Sequence, residues 1–258
     1  MLQGLYFSAQ GAQLQSLRQD VIANNLANAA TTGFKRDLVQ AQAFLPRQAE
    51  EGGAVRPDHL TPFPGGIGPY ATVTDYSQGS LQVTKNPWDV AVTGAGFLHV
   101  TDGENNYLTR DGRLAISPQG QLITRDHNLA VLGANGRLML GLDPNVIPQI
   151  TSGGTVVQNG VEVGQIAIVA PEKLQSLMKV GDNLYRTEDP IGRGPVDTSL
   201  KQGYLEASGT QPMKEMLELI ESSRGFEANL NMIKAQDEAL GRLLQSIGRP
   251  FAPRTARL

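Results

Sequence analysis

The stretch Met213 to Ile247 limits what this chain can fold into more than any other. Written in heptads it shows two columns. One holds Leu219, Phe226, Ile233, Leu240 and Ile247; the other holds Met216, Ser223, Leu230, Asp237 and Leu244. Apolar residues recurring at that interval form a narrow stripe on a helix, the pattern of a coiled-coil seam. Thr210 is placed to cap the helix, and Pro212 falls in its first turn, where a missing N–H costs least. Gly248 and Pro250 stop it. Lys214–Glu218, Lys234–Glu238 and Glu238–Arg242 lie four apart and add a few tenths of a kcal/mol each at most. Such a rod is about 50 Å long, more than a compact chain of 258 residues needs. A second helix is therefore expected to cover the stripe.

Residues 1–33 supply that helix. Leu2, Leu5, Ala9 and Ala12 share one face; Leu14, Leu17 and Val21 continue a stripe beside it, and Gly33 is placed as a C-cap. Its polar face is almost uncharged. Arg18 and Asp20 stand among Gln3, Gln10, Gln13, Gln15, Gln19, Asn24, Asn25 and Asn28. Amides exchange hydrogen bonds with neighbours without the desolvation cost of an ion, so this face suits burial on several sides. The pattern fits an amphipathic helix docked on its own domain and a helix of an assembly equally well. Asp237 likewise has two readings. It is a partly exposed residue of the stripe, or a polar group that sets register by bonding Asn24 or Asn28.

Between the helices the composition changes twice. Residues 37–78 form an extended arm in which Pro57, Pro62, Pro64, Gly65, Gly66, Gly68 and Pro69 forbid a helix. Residues 79–209 read as short alternating strands. Turn pairs fall at Asp102-Gly103, Asp111-Gly112, Asn135-Gly136 and Asn159-Gly160. Thr109-Arg110-Asp111-Gly112-Arg113-Leu114-Ala115-Ile116 nearly recurs as Thr124-Arg125-Asp126-His127-Asn128-Leu129-Ala130-Val131, which predicts a β-meander. The fold class is α+β: paired long terminal helices, coiled-coil-like, around a central, mainly antiparallel β domain of sandwich or irregular-barrel type. The organisation expected is 1–36 with 210–248 as a terminal helical assembly domain, 37–78 as arm, 79–209 as β domain and 249–258 as a flexible basic tail.

Several functions are excluded. A net charge of −3 leaves no footprint for nucleic acid. No cysteine is present, so disulfides and thiolate metal sites are ruled out. No apolar run is long enough to span a membrane, and the N-terminus lacks the basic and apolar regions of a secretory signal. Gly94-Ala95-Gly96 lacks the third glycine of a nucleotide loop and reads as a tight turn. Asp102, Glu104 and Asn105 lack calcium-loop spacing. His59, His99 and His127 are scattered, and Glu206 has no carboxylate partner nearby in sequence and reads as a surface residue. No catalytic, cofactor or metal residue is assigned, and the chain is not read as an enzyme.

Four separated segments carry a resemblance. Ala23-Asn24-Asn25-Leu26-Ala27-Asn28-Ala29-Ala30-Thr31-Thr32-Gly33-Phe34-Lys35-Arg36 resembles the N-terminal signature of the bacterial flagellar rod and hook family. Asn86-Pro87-Trp88-Asp89-Val90-Ala91-Val92-Thr93-Gly94-Ala95-Gly96-Phe97, with Tyr107-Leu108-Thr109-Arg110-Asp111-Gly112, is similar to the start of that family's β domain. Gly203-Tyr204-Leu205-Glu206-Ala207-Ser208 and Arg224-Gly225-Phe226-Glu227-Ala228-Asn229 match near the C-terminus. Departures are Ala30 and Gly209-Thr210, where the family often has Asn and Asn-Val; residues 141–200 match loosely. The resemblance implies a proximal or distal rod subunit of the flagellar basal body, in the periplasm. It implies export through the flagellar type III channel without a cleaved signal, and assembly into a hollow, torque-transmitting shaft. Partners would be copies of itself and other rod or hook subunits, with basal-body ring proteins as further candidates. The residues expected at the assembly contacts are Leu5, Leu14, Leu17, Val21, Asn24, Asn25, Leu26, Asn28, Gly33 and Phe34 at the N-terminus. At the C-terminus they are Met216, Leu219, Phe226, Leu230, Ile233, Asp237, Leu240, Leu244 and Ile247. The alternative is a monomeric periplasmic or surface β-domain binding module on a helical stalk.

Overall fold

A computed structural model describes residues 2–41, 43–44, 66–67, 71–134, 136–140, 146–195 and 197–247. The fold is α+β, with a helix at each end of an antiparallel β region. The chain divides into two compact units, residues 1–24, 39–72 and 213–258, and residues 25–38 and 73–212.

The first unit is built on α1 (Leu2–Ala27) and α2 (Pro212–Ile247). The helix expected over 1–33 stops six residues early. The N–H groups of Asn28, Ala29 and Thr31 close successive turns onto the carbonyls three residues back. Gly33 is therefore no C-cap. Its left-handed φ of +68° instead lets it approach the Arg110 backbone, where a methyl group would sit 2.6 Å from the carbonyl oxygen. Pro212 opens α2 as expected, but Thr210 does not cap it, since its buried hydroxyl finds no hydrogen-bond partner. Lys214–Glu218 and Glu238–Arg242 form ion pairs at 3.8 and 3.7 Å.

The two helices run antiparallel through contacts made of glycine and amides. A methyl group added at Gly4 would lie 2.9 Å from Gln236, and one at Gly11 would lie 2.8 Å from Asn229. One at Gly225 would lie 3.1 Å from Gln15, whose carbonyl and amide oxygens both accept from Ser222 Oγ at 3.0 Å. Each step up α1 is matched by an equal step down α2. Missing side chains let the backbones close, and the opposing amide fills the gap.

Beyond α1 come β1 (Asp37–Gln40), β2 (Ala43–Phe44), β3 (Gly66–Ile67) and β4 (Ala71–Thr74), where β1 pairs with β4 and β2 with β3. Most of the Pro/Gly-rich arm, like the tail at 249–258 and the Gly248 and Pro250 stop signals, lies outside the described residues.

The second unit holds β5 (Leu81–Val83), β6 (Val90–Thr93), β7 (Phe97–Thr101), β8 (Asn106–Thr109), β9 (Leu114–Ile116), β10 (Leu122–Thr124) and β11 (Ala130–Gly133). It continues with β12 (Gly136–Arg137), β13 (Gln149–Ile150), β14 (Thr155–Gln158), β15 (Val161–Gln165) and β16 (Ile168–Pro171). Then follow β17 (Met178–Gly181), β18 (Leu184–Arg186), β19 (Ile191–Arg193), β20 (Ser199–Gln202) and β21 (Tyr204–Glu206). One sheet runs β17-β18-β8-β7-β11-β10-β9, with β12 on β11 and β16 linking β7 to β19. Short antiparallel ladders β13-β14-β15, β6-β20 and β5-β21 complete it. β7 is central, so Phe97, Leu98 and Val100 are all fully buried, Phe97 in one core cluster and Leu98 and Val100 in another.

The meander forms as β9-β10-β11. Asn159 and Gly160, at φ of 55° and 78°, make the two-residue turn between β14 and β15. Asp111-Gly112 is not a hairpin, because β8 pairs with β7 and β18 whereas β9 pairs with β10. Gly112 instead lies against the backbone of Val90, whose N–H donates to its carbonyl at 2.9 Å. Asn135 lies outside the described residues.

Candidate assembly interface

The signature residues from Asn25 onward build a fastening inside the β unit. Asn25 is buried, and its amide pairs both ways with the backbone of Asp37: Nδ2 donates to the carbonyl at 2.8 Å, and Oδ1 accepts from the N–H at 3.0 Å. Asn28 Oδ1 accepts from the Thr31 hydroxyl. Gly33 N–H donates to the Glu206 carbonyl, and the buried Phe34 ring lies under Lys179, whose Nζ is 4.8 Å from its centroid.

Glu206 is the centre of this fastening. The expectation of a surface residue was wrong, for its side chain is 0% exposed. Oε1 accepts from Lys35 Nζ at 2.6 Å and from the Gly79 N–H at 2.8 Å; Oε2 accepts from Arg110 Nη1 at 3.2 Å. Lys35 also donates to the Ser77 carbonyl and Arg110 to the Gly94 carbonyl, each at 2.7 Å. Arg110 stacks over Phe97 at 4.9 Å. Two cations thus share one carboxylate. Burial pushes the Lys35 ammonium below its ordinary range, and the attraction of Glu206 offsets this only in part. The chemistry is structural, a knot of five segments with all three charged groups hydrogen-bonded.

The helical unit presents a different surface. Leu14 is buried; Leu5, Leu17, Val21, Leu219, Phe226, Ile233 and Leu240 are half-buried. The second α2 column divides otherwise. Met216, Leu230, Asp237 and Leu244 are exposed, and the side chain of Ile247 lies outside the described residues. The column next to the Leu219 stripe on the packed side is polar instead: Ser222, Asn229 and Gln236. The polar contacts between the two helices lie there, and Asp237, like Asn24, is exposed. On the opposite face Met213, Met216, Leu217 and Ile220 stand at i, i+3, i+4 and i+7, and are 74%, 48%, 63% and 52% exposed. At about 100° per residue they form one apolar strip pointing away from Ser222 and Asn229. Leu26 and Asn28 are half-buried, Gly33 buried.

Comparison with known proteins follows this geometry. Residues 5–35 match the family described as flagella basal body rod protein, and 201–246 the C-terminal family of the flagellar basal body rod FlgEFG proteins. The chain is 33% identical over 235 residues to the flagellar basal-body rod protein FlgF of Caulobacter vibrioides, covering 89% of this chain and 91% of that one. The chain belongs to the flagellar basal-body rod protein family. The FlgG proteins of Buchnera aphidicola (subspecies Schizaphis graminum) and Bacillus subtilis are each 30% identical to the rod subunit. Both matches cover 95% of this chain, with 100% and 98% of the relative. The rod subunit is a structural component of the flagellar basal-body rod and not an enzyme. Its two matched segments supply Lys35 and Glu206, the two ends of a buried ion pair at 2.6 Å.

Sequence reasoning missed Lys35, Arg110 and Glu206 as a group, and the Gly–amide ladder. The ladder had a signal: Ser222, Asn229 and Gln236, like Gly4 and Gly11, are seven apart.

Proposed function

We propose that the rod subunit assembles with copies of itself and with other rod or hook subunits through α1 and α2. The product is a hollow helical shaft carrying torque from motor to hook. The observation that carries this reading is the apolar strip Met213, Met216, Leu217 and Ile220, turned to solvent on the face of α2 away from the glycine–amide contacts with α1. Ordinary single-chain folding buries the apolar side of a helix and exposes the polar one. Here α2 carries a second apolar strip that stays exposed, which fits a pair of coiled-coil-like helices whose outer strip is covered by a neighbour. A heterologous contact that does not close generates a filament.

In this reading 1–36 with 210–248 is the assembly domain, the β section at 79–209 faces outward, and the arm at 37–78 lies over adjacent subunits. Residues 249–258 trail as a tail, and ring proteins meet the outer surface. The subunit reaches the periplasm unfolded through the flagellar type III channel, with no cleaved signal, no membrane insertion and no nucleic-acid partner. No helix among the described residues is long and apolar enough to cross a membrane.

Leu217→Glu with Ile220→Glu tests it. Burying such side chains is worth about 1.5–3 kcal/mol each. The double variant is therefore expected to raise the concentration needed for assembly at least ~100-fold in sedimentation, with the thermal unfolding of the β unit unchanged. Assembly at the wild-type concentration would remove the strip from the interface.

A further inference from the structure

The large sheet of the β unit ends on β9, and part of the outer edge of that strand is open. Bonding along an antiparallel strand alternates between its two sides. Ser117 N–H donates to the Gln121 carbonyl and Arg125 N–H to the Arg113 carbonyl, so Arg113, Ala115 and Ser117 face β10. Leu114 and Ile116 face outward. Leu114 N–H donates to the Trp88 carbonyl, and Asp89 bridges Arg113 beside it. In that register the partner of Ile116 would be Asn86. Asn86 turns away instead: its carbonyl accepts from the Asp89 N–H, and its N–H donates to Thr84 Oγ1 at 3.3 Å. The N–H and carbonyl of Ile116 therefore bond nothing among the described residues. A groove of about 420 Å³ runs along this edge, bounded by Trp88, Ile116, Pro118 and Arg125. The Arg125 side chain is 47% exposed. Its contacts are long, 3.5 Å to Asp89 Oδ1 and 3.4 Å to the Leu114 carbonyl, and both are made by Nη2.

We propose that β9 receives a short extended segment of a different protein by strand addition, with an acidic side chain of that segment on Arg125. An open strand edge is a template for pairing, in which main-chain bonds give affinity and the groove gives specificity. Ile116 exchanges two backbone hydrogen bonds with the incoming strand. Outward positions along a strand repeat every two residues, about 7 Å apart. The guanidinium at the Leu114 carbonyl stands one such step from Ile116. A carboxylate one step along the incoming strand therefore meets Arg125, whose charge favours an acidic segment over a basic one. Trp88 and Pro118 wall the groove for the remaining side chains. The surface lies wholly within the β unit and is independent of assembly through the terminal helices.

Trp88 is the chain's single tryptophan, so its emission reports occupancy of the groove. The probe is a capped hexapeptide of alternating threonine and valine with one glutamate, titrated into the full chain. A saturable change in Trp88 emission is the expected result. Glutamine in place of the peptide's glutamate, or Arg125→Gln in the chain, is expected to weaken binding about two- to fivefold, with no further loss when the two are combined. Methylating the peptide's backbone nitrogens tests the edge without altering the protein. Methyl groups on every second residue in one phase are expected to weaken binding at least ~10-fold, and in the other phase to change it little. The same effect from both phases would overturn strand addition. Equal affinity for the glutamate and glutamine peptides would overturn the acidic partner. No saturable change in a chain whose thermal unfolding is intact would overturn the site. A Trp88 change with chain concentration alone would overturn the inference in favour of a second copy on this edge.

Discussion

Glu206→Ala is expected to destabilise the β unit by about 3–5 kcal/mol, read as a lowered denaturant midpoint. The size follows from charge. Lys35 and Arg110 have side chains 1% and 2% exposed, and Glu206 is the carboxylate that bonds both. Its loss leaves two buried cations without the carboxylate that bonds them and strips the Gly79 N–H of its acceptor. Lys35→Met is expected to cost much less, under about 2 kcal/mol. It leaves Arg110 and Glu206 as a one-to-one pair and removes an ammonium whose lowered pKa shows that burial outweighs its attractions. Equal losses in the two variants would mean that the lysine is as necessary as the carboxylate and would contradict this ordering.

Gly112→Ala is expected to cost about 2–4 kcal/mol, from overpacking of about 1–3 kcal/mol and a lost backbone hydrogen bond of about 1 kcal/mol. The added methyl group would sit 1.6 Å from the Val90 carbonyl oxygen and 2.7 Å from its carbon, backbone atoms that no rotamer change can move. Val90 is fully buried between the β6-β20 ladder and the core, so the strain spreads into packed side chains. Gly136→Ala is the control: a methyl group there meets nothing within 4 Å, although its φ of +109° adds local strain. A Gly112→Ala midpoint no lower than that of Gly136→Ala would show that the approach is not tight in solution.

How far the sequence could be read depended on whether the relevant partners were close along it. Local signals held. The heptad interval marked α2, Pro212 marked its start, and Asn159-Gly160 marked a hairpin, because helix and turn chemistry involve neighbours. Glu206 was misread because its partners Lys35 and Arg110 are 171 and 96 residues away. Gly33 and Gly112 look like a cap and a turn. Both are glycines for another reason, that another stretch of backbone passes too close for a side chain. The heptad count found Met216, Leu230 and Leu244 but placed them on an inner face. Apolar periodicity shows that a stripe exists, not what covers it. Here the inner face is held by Ser222, Asn229 and Gln236, which a count of apolar residues passes over.

Helices α1 and α2 are expected to reach full stability only against neighbouring copies, since the strip Met213, Met216, Leu217 and Ile220 stands exposed. Hydrogen exchange of the full chain, dilute and assembled, tests it most directly. Rapid exchange in 2–24 and 213–247 is expected when dilute and strong slowing on assembly, with β7, β8 and β11 protected in both. Helices already protected at dilution to the same degree as β7, and unchanged by concentration, would contradict it.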